Sequence, residues 1–135
     1  MHHWFVVFRP RERQADRWEV WQTPNAGGKS WGHVHRNLMH PDRPVGGGPT
    51  CIAAAWTGEE ARRLRSVMER PEEYPYRNLY RYWPGPNSNT YAAWILRRAG
   101  IPHRFDLRSF GCGYPLRDIR APEAPTHPEP GATDG

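Results

Sequence analysis

Apolar and polar positions along this chain predict short strands, two helices and long irregular connections between them. Residues 2–8, HHWFVVF, are β-branched or aromatic on both faces and stop at Arg9-Pro10. Such a run predicts a first strand, buried on both sides and therefore central in its sheet. After the polar turn RERQAD, residues 17–22 alternate, with Trp18 and Val20 on one side and Glu19 and Trp21 on the other. The short connection predicts an antiparallel hairpin. A Gly- and Pro-rich region, 23–50, holds one further expected strand at 31–36. Thr57 and Glu60 then have the spacing of a capping box, opening a helix that reaches about Arg70, where Pro71 stops it. Ala61, Leu64, Val67 and Met68 form its apolar stripe, and Arg62, Arg63 and Arg65 fall mostly outside it.

The most specific stretch is 83–102, WPGPNSNTYAAWILRRAGIP. Pro84, Gly85 and Pro86 force a turn, and Asn87, Ser88 and Asn89 have the composition of a helix N-cap. Tyr91, Trp94, Ile95 and Ala99 share one face of the helix that follows, with Gly100 as its stop and Pro102 just beyond. Residues 72–82 are expected to run extended, 103–107 to form a short strand, and 109–114 to make a tight turn with Phe110 buried. From Ala121 the chain is Pro- and Gly-rich with almost nothing to bury, so a disordered tail is expected over 121–135. Together these elements predict an α+β fold, a small antiparallel sheet with two main helices, in a single domain over 1–120.

Composition narrows the classes. The 135 residues carry a net charge of +5, nearly all of the positive charge being arginine. Seven Trp and six Tyr add stacking surface. A basic, aromatic chain suits nucleic acid, but the arginines are scattered instead of gathered on one face, so nucleic-acid binding is only a third reading. Cys51 and Cys112 make neither a disulfide framework nor a zinc motif. His33, His35, His40 and Asp42 lie in a Gly-rich region with no fixed fourth ligand, so no metal or cofactor is expected. No apolar run is long enough to span a membrane and no leader pattern opens the chain, which gives a cytoplasmic expectation. Nothing in the sequence fixes an oligomeric state.

Chemistry points to the start of the second helix. Ser88 stands where unpaired backbone N–H groups and the positive end of the helix dipole favour negative charge, although serine and asparagine are also ordinary caps. Glu19, on the face of Trp21, reads either as half buried or as a residue at the solvent edge of a strand, the commoner case.

Several segments carry a family resemblance: His2-His3-Trp4, Trp18-Glu19-Val20, Tyr74-Pro75-Tyr76, PGPNSNT at 84–90, and more loosely FGCGY at 110–114. They resemble the bacterial family catalogued as domain of unknown function 3750. That family in turn resembles circularly permuted papain-like hydrolases, relatives of NlpC-type peptidases and of the PPPDE group. Those enzymes carry a His on an early strand and a later Cys at a helix N-terminus, often within Asn-Cys-Asn. Asn87-Ser88-Asn89 would be that motif with oxygen in place of sulfur. The resemblance implies a permuted papain-like fold and a serine-dependent amide or ester hydrolase. Ser88 would be the nucleophile, His2 the base, with His3 as the neighbour that register could substitute, and Glu19 the group orienting the imidazole. Asn87 and the helix N–H groups would bind an oxyanion, with Asn89 flanking. A serine hydroxyl is not ionised by a helix field and needs such a base. The alternative on the same scaffold is a catalytically inactive module. There PGPNSNT is a turn and cap, and the cleft holds a small molecule or peptide without chemistry.

Overall fold

The computed structural model describes residues 1–45 and 49–116; the 121–135 tail lies outside them. Four strands, β1 (Phe5–Val7), β2 (Asp16–Val20), β3 (Lys29–Trp31) and β4 (Val34–Arg36), form one antiparallel sheet in the order β1-β2-β4-β3. Two helices follow, α1 (Gly58–Met68) and α2 (Ser88–Arg98), with a single 3-10 turn at Pro71–Glu73 between them. The fold is α+β.

Register determines what each face of the sheet does. Phe5 lies opposite Trp18, Glu19 opposite His35, and Val20 opposite Val34. Alternation therefore gives one face to Phe5, Trp18, Val20 and Val34. That face buries Trp18, Val20 and Val34 against Tyr91, Trp94 and Ile95 of α2 and Leu64, Val67 and Met68 of α1. Each such side chain contributes about 1.5–3 kcal/mol by leaving water. Tyr74 completes the cluster, its ring edge-on to both Tyr91 and Trp94. The opposite face holds Arg17, Glu19 and His35, also fully buried. A lid of irregular chain covers it: Arg17 donates to the carbonyls of His40 and Arg43, and the Trp4 indole donates to that of Pro41.

Several expectations from the sequence are corrected. The first strand is an edge, not a centre. Its run is apolar on both faces because Phe5 meets Tyr91 while Trp4 packs on the Arg17 guanidinium, contacts made outside the sheet. The expected strand at 31–36 is a hairpin, β3 and β4 turning at Gly32 and His33. Gly32 has φ +64°, and a Cβ there would collide with the Arg77 carbonyl, so only glycine fits. Residues 72–82 form successive turns instead of an extended run, because the amides of Tyr74, Arg77 and Leu79 each close on a carbonyl three residues back. The capping box is not made: Thr57 precedes α1 without a side-chain cap bond, and Glu59 and Glu60 face the dipole from the first turn. No strand forms at 103–107. Phe110 is 48 % exposed, while Ser109 is the buried residue of that turn.

Candidate functional site

The start of α2 is built almost entirely from asparagine side chains. Asn87 is the N-cap, its carbonyl oxygen accepting from the amides of Asn89 and Thr90, while Thr90 Oγ1 accepts from the Asn87 amide and closes a reciprocal box. The Asn87 amide nitrogen donates to the Tyr82 carbonyl, and Thr90 Oγ1 donates to that of Gly111. Asn89 is a clamp between chain segments. Its oxygen accepts from the His3 amide at 3.1 Å, and its nitrogen donates to the carbonyls of Met1 at 2.7 Å and Phe110 at 3.0 Å. These bonds tie the start of the chain and the 109–111 turn to the first turn of α2.

Ser88 sits inside this clamp as the first helical residue, 6 % exposed. Among the described residues its hydroxyl makes no hydrogen bond, and its backbone N–H, one of the donors a helix start leaves open, has no acceptor. The Ser88 position therefore presents one free hydroxyl and one free N–H at the positive end of α2.

The two leading histidines part company. His3 has its ring on the α2 side, edge-on to Phe105 and with Nε2 2.7 Å from Ser109 Oγ. Burial, reinforced by the neighbouring His2, lowers its pKa and favours the neutral ring. His2 turns to the other face, where its ring meets Trp21 and its Nε2 lies 2.9 Å from Glu19 Oε2. Glu19 is not at a solvent edge but fully buried, because the 40–43 segment closes over it. Arg17 holds it with Nη2 at 2.9 Å from Oε2, and Nε approaches Oε1 to 2.8 Å as an ion-pair contact too bent for a hydrogen bond. Burial opposes ionisation of Glu19, but the bonds from His2 and Arg17 outweigh it and hold the carboxyl below its ordinary range.

The structure thus brings His2 to Glu19, and brings His3 to Asn89, the neighbour of Ser88 in the first turn of α2. It gives Ser88 no hydrogen bond to either imidazole. Two contributors were not picked out from the sequence. Arg17 had a signal, since it lies two residues from Glu19 and so shares its face. Ser109 sits in a turn without periodicity and had none. His33, in the turn between β3 and β4, and His35, on β4, are engaged with polar partners: His33 Nδ1 faces the Trp21 carbonyl, and His35 lies between Ser30 Oγ and the Thr23 carbonyl. Among the described residues no group of three His, Cys, Asp or Glu side chains is placed to hold a metal. A shallow depression along α2, at Ala93, Leu96 and Arg97, reaches Ile101 and Phe105 and includes neither Ser88 nor His2.

Fold and site together define a small α+β protein in which an asparagine clamp fixes the chain start against a helix N-terminus. The chain belongs to the family of proteins of unknown function DUF3750, whose family model matches residues 1–114. No curated protein and no solved structure shows significant similarity to it.

Proposed function

We propose that this protein is a ligand-binding module on a permuted papain-like scaffold. Its site is the N-terminus of α2, and its ligand presents a carbonyl or carboxylate to Ser88. One observation carries the reading: among the described residues the Ser88 hydroxyl and N–H have no hydrogen-bond partner at the positive end of an eleven-residue helix, and no imidazole bonds to the hydroxyl. Donors without a base suit recognition of an oxygen acceptor better than its chemical attack. The asparagines flanking Ser88 support the same view, since their polar atoms are spent on holding three chain segments. Likeness of fold to hydrolases carries no activity by itself.

The probe that tests this is N-acetyl-phenylalanine, a carboxylate with an aromatic group, titrated into the isotopically labelled protein. The Ser88 amide is expected to show the largest chemical-shift change, with those of Asn89 and Thr90 next and the probe recovered intact. A titration that leaves the Ser88 amide unmoved contradicts the assignment.

A serine-hydrolase reading rests on a different observation, that His3 is the imidazole on the α2 side and is held neutral by burial. In it His3, positioned by Ser109, takes the Ser88 proton as the hydroxyl attacks an acyl carbon, and the Ser88 N–H receives the oxyanion. Reaction of Ser88 with a serine-directed phosphonate would favour it.

A further inference from the structure

Among the described residues eight large apolar side chains are exposed, Phe8, Ile52 and Leu79 besides the five that follow. Met1, Tyr82, Trp83, Leu107 and Phe110 are all exposed, Leu107 almost completely at 98 %. They come from three distant segments that the asparagine clamp gathers into one place. Asn89 holds the Met1 and Phe110 carbonyls, Asn87 holds that of Tyr82, and the rings of Trp83 and Phe110 meet edge-on at 5.5 Å. Ser109 Oγ, between Leu107 and Phe110 in sequence, lies 3.5 Å from the Met1 sulfur. A contiguous patch of this kind on a soluble surface marks an interaction site.

Charge around the patch is one-sided. Segments 81–83 and 104–110 carry Arg81, Arg104 and Arg108 against a single carboxylate, Asp106. Arg108 pairs with Asp106 at 2.9 Å, which leaves Arg81 and Arg104 exposed and without a carboxylate partner among the described residues. Trp, Tyr, Phe and Leu tips flanked by free arginines on a chain of net charge +5 match the two layers of an anionic bilayer surface. The rings and Leu107 suit the acyl boundary, and the guanidinium groups suit the headgroups. An acidic protein surface could meet the same aromatics and arginines, and vesicle flotation separates the two occupants. Among the described residues no helix is long and apolar enough to cross a membrane, so the contact is peripheral.

We propose that this patch, Met1, Tyr82, Trp83, Leu107 and Phe110 with Arg81 and Arg104, docks the protein on anionic lipid surfaces. The inference is independent of what Ser88 does. Its test is flotation of the full chain with vesicles of mixed phosphatidylglycerol and phosphatidylcholine, and with phosphatidylcholine alone. The wild type is expected to float with the anionic vesicles, to stay behind with the neutral ones, and to be released by salt. Trp83→Ser with Leu107→Ser should reduce partitioning at least about tenfold. Arg81→Glu with Arg104→Glu should abolish the preference for anionic vesicles. All four side chains are exposed, so circular dichroism should show the folded protein in each variant. Failure of the wild type to float, or flotation unchanged in both variants, overturns the proposal. Self-association in sedimentation that the Trp83/Leu107 variant loses, without flotation, would assign the patch to a second copy and overturn it equally.

Discussion

Glu19 is buried on the sheet face that the helices do not cover, so its charge has to be balanced by its immediate neighbours. Arg17 supplies the balancing charge and His2 a hydrogen bond, and Arg17 also holds the carbonyls of the covering loop. Removing one member of a buried ionic group leaves the others unpaired, which costs more than the group contributes when intact. Glu19→Gln is therefore expected to lower stability by about 3 kcal/mol at neutral pH, measured by urea unfolding. Since folding depresses the Glu19 pKa, the carboxylate's contribution is present above the ordinary glutamate value and is lost as pH falls through the lower, folded one. The difference between wild type and variant should thus shrink as pH drops below about 4.3. A difference that stays constant into acid would refute the ionic account. The sequence revealed the Glu19 alternation but not its burial, because burial depends on the 40–43 segment crossing the sheet, and no local pattern announces that.

At the scale of elements, α2 is the part the sequence describes best. Its asparagine cap, its 91-94-95-99 apolar face and its glycine stop are all local signals, and all are realised. The capping box expected at Thr57 failed on the same kind of local reasoning. A hydroxyl and a carboxylate at the right spacing permit those bonds without compelling them. The Asn87 cap also depends on a distant partner, since Gly111 has φ +93° and an added Cβ would run into the Asn87 side chain. Asn87→Ala should cost about 1–2 kcal/mol in unfolding free energy. Gly111→Ala should cost at least as much, through strain and displacement of the cap. Because both act on one structure, the double variant should lose less than the sum. Full additivity would mean that Gly111 does not support the cap. The strands are less legible. Three of the four have only three residues, and whether β1 is an edge or a centre is decided by what packs over Trp4 and Phe5.

Taken whole, the molecule uses one device, the Asn87/Asn89 clamp, to join the chain start, the 82–83 loop and the 109–111 turn around Ser88. That convergence was only partly readable. The PGPNSNT motif marked the place, but the separation of His2, at Glu19, from His3, at Ser109, is made by contacts distant in sequence, ahead of β1, and follows from tertiary folding. Among the described residues, what the arrangement leaves at Ser88 is a pair of free donors whose hydroxyl has no base bonded to it. The most direct test is intact-mass analysis after exposure to a serine-directed fluorophosphonate, with the modified residue mapped by peptide sequencing. The binding account predicts no adduct on Ser88 under conditions that label a serine hydrolase fully. A stoichiometric adduct on Ser88 that disappears in His3→Gln would contradict it and establish acyl-transfer chemistry at this helix start.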